Sequence, residues 1–351
     1  MNRPWISLYI YYHQDPTPLL VECLEPLVRE LQNQRTLRQH FYVRYWEGGP
    51  HVRFRVLPQR ASEADGLRDH LIQSINAYLQ KYPSLVQLDV ERYAQASAYF
   101  SSFELGEVKS FELHPNNTVR QVAYVPEWQS YGGQHAMPAV ERQFSVSSSL
   151  GLQLLGQPTS AERRVGRAMY MMLSGLQEFA EQPAELQHWF TLYNQSWMPA
   201  LQPNPAAFIE IFGQRFERQR EHLTKFVGGV LERHRFGEQR DSAQSGSAQP
   251  PDRLMEDWIN SFYHLRQRLE RLGQEHKLEY DSKPLLIQDS AIIALNCLHM
   301  HNNRIGISLH EEAYLTFLLK EALGAWIASR LAHGGHSVMP NRLGAAQQPS
   351  V

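Results

Sequence analysis

Residues 40–57 read His40-Phe41-Tyr42-Val43-Arg44-Tyr45-Trp46-Glu47-Gly48-Gly49-Pro50-His51-Val52-Arg53-Phe54-Arg55-Val56-Leu57. Two runs rich in β-branched and aromatic residues, HFYVRYW and HVRFRVL, flank two glycines and a proline. That order predicts an antiparallel hairpin. Side chains alternate between strand faces. Phe41, Val43 and Tyr45 therefore share one face and Tyr42, Arg44 and Trp46 the other. On the second strand Val52, Phe54 and Val56 face away from His51, Arg53 and Arg55. If the two apolar sets coincide, Arg44, Arg53 and Arg55 crowd one side of the sheet beside two aromatics. Like charges so placed repel unless an anion or acidic residue lies between them, and guanidinium forks suit carboxylate and phosphate. The pattern reads first as the solvated face of an antiparallel sheet, the usual meaning of such alternation, and second as an anion site.

Outward from the hairpin, residues 5–12 (WISLYIYY) predict a strand. Asp15 caps a helix carrying Leu20, Cys23, Leu24, Leu27, Val28 and Leu31, which Pro26 kinks or splits. Residues 61–82 predict an amphipathic helix, and 107–114 with 118–124 a second strand pair turning at Pro115-Asn116-Asn117. From about 136 the apolar spacing is helical, with helices expected over 136–155, 160–182, 205–235, 252–277, 285–300 and 309–332. The polar stretch 236–252 is expected as a flexible loop and 334–351 as a disordered tail. Strands come first and helices later, so the fold class is α+β, with one domain expected over 1–333.

The 351 residues are 42% hydrophobic and 20% charged, which excludes a wholly disordered, collagenous or coiled-coil chain. Lys plus Arg (34) nearly balances Asp plus Glu (36), so no broad nucleic-acid grip is expected. Cys23 and Cys297 are too few for a disulfide scaffold or a Cys-rich zinc site. No signal peptide or membrane span is evident, and the expected location is cytoplasmic.

Two further stretches bear chemistry. In Leu298-His299-Met300-His301-Asn302-Asn303-Arg304, His299 and Asn303 share a helix face, whereas His301 points elsewhere. The spacing fits no zinc pair, so no metal is expected. It fits either acid–base work by one histidine or a helix end whose basic residues favour the negative end of the helix dipole. In Tyr124-Val125-Pro126-Glu127-Trp128-Gln129-Ser130-Tyr131-Gly132-Gly133, adjacent glycines permit either close approach of a ligand or a plain turn. No Walker loop, nucleophile elbow or dinucleotide fingerprint is present.

Taken in order, Trp5-Ile6-Ser7, Phe41-Tyr42-Val43-Arg44-Tyr45, Gly49-Pro50-His51-Val52-Arg53-Phe54-Arg55, Pro126-Glu127 through Tyr131-Gly132-Gly133, and His299-Met300 through Asn303-Arg304 resemble the lantibiotic dehydratase C-terminal family, also called the thiopeptide-type bacteriocin biosynthesis family. The resemblance spans residues 5 to about 330. It implies work on ribosomally made peptides: elimination of glutamate from glutamylated Ser or Thr, leaving dehydroalanine or dehydrobutyrine. A related branch instead joins two dehydroalanines in a formal [4+2] cycloaddition, which makes the thiopeptide pyridine and releases the leader peptide. A third reading is a non-catalytic partner that binds a leader peptide.

By motif, Arg53 and Arg55 match the family's arginine pair and His299 its histidine, which makes these three the expected catalytic residues. Arg44 would complete a clamp. His51, Glu127, Ser130, Tyr131, Asn303 and Arg304 are the other expected substrate contacts. Elimination needs a base, enolate stabilisation and cations for the departing carboxylate. The family's elimination modules usually carry Arg just before Tyr-Gly-Gly, where this chain has Ser130; Arg120 and Arg142 are the candidate substitutes. Elimination ranks first on the retained arginine pair and His299, cycloaddition second on Ser130. No cofactor is expected. The implied partners are a precursor peptide with its leader and a separate glutamyl-tRNA-dependent glutamylation protein; a homodimer is allowed, and no membrane or direct nucleic-acid contact is expected.

Overall fold

The computed structural model describes residues 4–104, 108–109, 111–201, 204–237 and 253–332. They group into two compact units. The first contains the chain up to Ser160 with Glu279–Lys283 and His299–Gly306; the second contains Ala161–Leu278, Pro284–Leu298 and the chain from Ile307. The expected tail, and the expected loop from residue 238 on, lie outside the described residues.

The first unit carries β1 (Ile6–Tyr11), α1 (Glu25–Asn33), β2 (Leu37–Tyr45), β3 (His51–Pro58), α2 (Ala64–Lys81), α3 (Val90–Glu104), β4 (Thr118–Gln121) and α4 (Met137–Leu155). A π-helical turn, Leu19–Leu24, runs into α1, with Pro26 in the first turn of α1. Proline is tolerated there because the first N–H groups of a helix have no intrahelical partner. The expected interruption at Pro26 thus takes the form of a change of helix type.

The sheet is antiparallel, in the order β2-β3-β1-β4. Its register corrects the expected arginine face. Tyr45 pairs with His51, Val43 with Arg53 and Phe41 with Arg55, whereas Arg44 pairs with Val52 and Tyr42 with Phe54. Paired residues share a face, so Arg53 and Arg55 lie with Phe41, Val43 and Tyr45, and Arg44 projects to the opposite side. The cause is the connection. An odd number of residues, 46–50, joins the pair Tyr45–His51, and a slip of one residue exchanges every side chain between faces. Gly48 and Gly49 make this connection with φ of +73° and +109°, a region that suits glycine.

The reading of this face as solvated is also corrected: every residue of β3 is buried. On one side Leu8, Ile10, Tyr42, Val52 and Phe54 pack with Leu67, Leu71 and Ile75 of α2 and Leu27, Val28 and Leu31 of α1. Each such side chain contributes roughly 1.5–3 kcal/mol on burial. The other side carries the arginines. The expected pairing of 107–114 with 118–124 does not form among the described residues; β4 pairs with β1 instead. Helix α3 occupies 90–104, where no element was expected.

Strand β2 is an edge, and side chains close it. The Tyr42 N–H donates to Ser148 Oγ at 3.1 Å, and the His40 N–H to Ser145 Oγ at 3.3 Å, both serines on α4. In the second unit, α5 (Ala161–Gln177), α6 (Pro183–Trp197), α7 (Pro205–Gly237), α8 (Arg253–Gln274) and α10 (Leu309–Ala332) pack around Trp258, Phe262, Phe190 and Leu319. Helix α6 was not expected from the pattern. Helix α9 (Ala291–Arg304) starts and ends later than the expected 285–300, and its final residues, from His299, belong to the first unit. No described helix is long and apolar enough to cross a membrane.

Candidate functional site

A cleft opens on the arginine side of the sheet. It is lined by Phe41, Val43 and Tyr45 of β2, Arg53 and Arg55 of β3, Tyr124, Val125, Glu127 and Tyr131 of the segment after β4, Met137 and Phe144 of α4, and Met300 of α9. About 490 Å³ of space lies within it, counted to its open mouth. The two arginines are only 9% and 7% exposed, yet each stands against rings rather than in water. The Arg53 Cζ lies 3.5 Å from the centroid of Tyr45 and 4.8 Å from that of Tyr9. The Arg55 Cζ lies 4.9 Å from Tyr124 and 5.3 Å from Phe41. Ring quadrupoles stabilise desolvated cations in this geometry.

The polar partners differ. Arg53 donates from Nε to His51 Nε2 at 3.2 Å and from Nη2 to Glu47 at 2.9 Å. Arg55 Nε is buried and bonds to no protein atom among the described residues. Burial lowers the Arg55 pKa, against the opposing pull of Tyr124. Burial likewise raises the Tyr124 hydroxyl, reinforced by Glu141. Both effects penalise burying charge without full compensation.

The expected site residues fall into distinct groups. Arg53, Arg55, Glu127 and Tyr131 share the cleft lining. His51 stands behind Arg53 rather than in the lining: its Nδ1 is 2.8 Å from the Gly49 carbonyl, and burial pushes its pKa down to about 3. The neutral ring thus donates from Nδ1 and accepts from Arg53. Ser130 is exposed in the short 3-10 turn Trp128–Ser130 and does not line the cleft. That turn is held by segment 279–281: the Asp281 N–H donates to the Gln129 carbonyl at 2.9 Å. Arg142, one arginine expected to substitute at position 130, is exposed on α4 and outside the lining.

Arg44, Asn303 and Arg304 form a separate group around β2. Asn303 copies a neighbouring strand: its Oδ1 accepts the Arg44 N–H and its Nδ2 donates to the Arg44 carbonyl, both at 2.9 Å. Arg304, fully buried, donates from Nε to the Tyr42 carbonyl at 2.9 Å and from Nη1 to Ser147 Oγ at 3.1 Å. Arg44 Nε donates to the Arg304 carbonyl, and its Nη1 pairs with Asp15. His299 is half-buried on α9 and is not in the lining, although its neighbour Met300 is. His301 is fully buried; its Nδ1 is 2.9 Å from Ser147 Oγ, and burial lowers its pKa to about 3. Sequence reasoning missed the aromatic wall of Tyr45, Tyr124 and Phe144, although the odd-numbered aromatics of 41–45 carried the signal.

The chain belongs to the family of the lantibiotic biosynthesis dehydratase C-terminal domain, whose model matches residues 5–323. Three solved structures share the fold. A pyridine synthase, TbtD, from thiomuracin biosynthesis is 16% identical with a TM-score of 0.72, over 91% of this chain and 97% of that one. TsrL is 16% identical with a TM-score of 0.61, over 96% and 99%. The tRNA-dependent lantibiotic dehydratase MibB from Microbispora sp. 107891 is 15% identical with a TM-score of 0.56, over 93% of this chain but 28% of its own. No curated protein sequence matches the chain.

Proposed function

We propose that the cleft joins two dehydroalanines of a precursor peptide in a formal [4+2] cycloaddition. The carrying observation is the pair of buried guanidiniums, each set against aromatic rings on the floor of a cleft walled mainly by aromatic and apolar side chains. Such a site holds flat, conjugated groups and offers hydrogen bonds to carbonyl oxygens without demanding a charged substrate. Ser130, standing where the family's elimination modules usually carry Arg, supports the same reading. The shared fold with a pyridine synthase agrees with it.

The carbonyl preceding one dehydroalanine passes to its hydroxy-imine form, so that a C=C–N=C unit spans four atoms. The C=C of the second dehydroalanine adds across it, forming two carbon–carbon bonds. Water and then the leader, as a carboxamide, are eliminated. One double bond remains after addition and each elimination adds another, so an aromatic pyridine results without an oxidant. Arg55 and Arg53 donate to the carbonyl oxygen that becomes the departing hydroxyl, and Glu127 and Tyr131 of the lining move its protons. Holding two alkenes in contact removes the entropic part of the barrier.

Glutamate elimination is the second reading. The Nε of Arg55, which has no hydrogen-bond partner among the described residues, favours it, because a departing carboxylate would satisfy that donor. The test supplies the purified protein with two peptides in parallel arms, one bearing two dehydroalanines and one bearing a glutamyl ester. Release of the leader from the first supports cycloaddition; release of glutamate from the second supports elimination and overturns the first reading.

A further inference from the structure

We propose that Arg120 is the anchor of a second subsite on the same sheet face, one that holds a carboxylate of the substrate peptide. The inference rests on the reading that this face handles a precursor peptide. Strand β4 pairs Arg120 with Tyr9, and Tyr9 in turn pairs with Arg53. Arg120 and Arg53 therefore flank one tyrosine on one face, two strand spacings or about 10 Å apart at the backbone.

The partners of Arg120 make it a receptor rather than a loose surface charge. Its Nη1 lies within hydrogen-bond distance of the His114 ring, at 2.6 and 2.9 Å, and its cation is near enough to Tyr11 to oppose the rise that burial gives that hydroxyl's pKa. The His114 ring stands 4.8 Å from Tyr11, whose ring is 4.8 Å from His51. These aromatic neighbours fix the guanidinium in place, and pre-organisation lowers the cost of binding. None of them neutralises it. Burial and the Arg120 cation both lower the His114 pKa, so the ring adds no charge of its own. Glu47 pairs with Arg53, and among the described residues no carboxylate forms an ion pair with Arg120. Arg120 is exposed and reachable. A fixed planar cation with neutral partners selects a planar anion, and on a peptide that anion is a carboxylate. An extended peptide covers about 3.3 Å per residue, so a carboxylate held by Arg120 lies roughly three residues or more from the group held by Arg53.

The test is a double-mutant cycle on binding, read by fluorescence anisotropy. The probe is a labelled, leader-bearing precursor peptide, together with a copy in which every Asp and Glu is Asn or Gln, and a copy amidated at its C-terminus. Arg120→Gln and Arg120→Lys are compared with the unaltered protein, and their melting temperatures establish that they fold. The expected result is a loss of about tenfold or more in affinity with Arg120→Gln, partial recovery with Arg120→Lys, and no further loss when the matching carboxylate has been removed from the peptide. The Asn/Gln copy and the amidated copy tell a side-chain carboxylate from the C-terminal one. Equal affinity for all variants, or losses that simply add, overturns the proposal. Binding is read without turnover, so this outcome is separate from whether cycloaddition occurs; failure of every protein to bind any precursor peptide overturns both.

Discussion

The Arg53 guanidinium carbon stands 3.5 Å from the centre of the Tyr45 ring, two residues that the hairpin register brings to one face. That contact depends on the odd-numbered connection at 46–50. It turns the hairpin from a solvated sheet face into the floor of a cleft.

Arg55 supplies the most selective test of the cleft. It is buried, lies against two rings and has an Nε without a hydrogen-bond partner among the described residues. Arg55→Met is of similar size and removes a buried charge, so the melting temperature is held or raised. Turnover falls by about 10²–10³-fold, the cost of losing one aimed donor. Calorimetry and a product assay on one preparation check both parts. Loss of folding together with activity would make Arg55 structural.

Gly49 closes the connection with φ of +109°, and a Cβ there would stand 2.9 Å from both His13 Nε2 and Leu113 Cδ1. Gly49→Ala is expected to cost about 1–3 kcal/mol through strain and displacement. Urea unfolding reads this as a lower midpoint at an unchanged slope. An unchanged midpoint would mean that the connection has another conformation.

Asn303 holds the Arg44 backbone as a neighbouring strand would. Asn303→Ala removes both bonds and leaves a donor and an acceptor at a partly buried edge, costing roughly 1–3 kcal/mol. Amide exchange at Arg44 should quicken selectively. Protection equal to that of the unaltered protein would refute the edge-closing role.

Three of the four buried histidines among the described residues, His40, His51 and His301, predict a strong pH dependence of stability. The pKa of His40 is lowered to about 4 and those of His51 and His301 to about 3, each chiefly by burial. An unfolded histidine binds its proton near pH 6.5, whereas these three stay neutral in the fold. Their contribution is complete above pH 6.5 and is lost as pH falls from there toward the folded values. The slope is about 1.4 kcal/mol per pH unit for each histidine. Urea titrations between pH 7 and 5 measure it, and His51→Gln should flatten the curve by about one histidine's share. A variant curve parallel to the original would contradict the assignment.

Much of this was legible in the sequence. The Gly-Gly-Pro connection marked the hairpin, the apolar spacing marked the long helices, and the ordered motifs marked the family. The register was not legible, because alternation tells which residues share a face within a strand but not which faces of two strands coincide. Coincident apolar faces would put Arg44 with Arg53 and Arg55, whereas the fold sets it opposite them. Helix α3 escaped notice because it spaces its apolar residues weakly and leaves Val90 and Tyr99 exposed. Helix α6 does carry Leu186, Trp189, Phe190 and Tyr193 at helical spacing, a signal present in the sequence. Of the site, the arginine pair, Glu127 and Tyr131 were readable as motif residues. The aromatic wall around them is a product of tertiary packing.

The central claim is that two dehydroalanines become one ring in this cleft. Its most direct test is carbon NMR of the product made from a precursor peptide labelled with ¹³C at both dehydroalanine β-carbons. Cycloaddition bonds those two carbons to each other, so the account predicts one-bond carbon–carbon coupling between two aromatic signals, appearing as the leader is released. Two uncoupled vinyl signals persisting beside a protein that instead frees glutamate from the glutamylated peptide would contradict it.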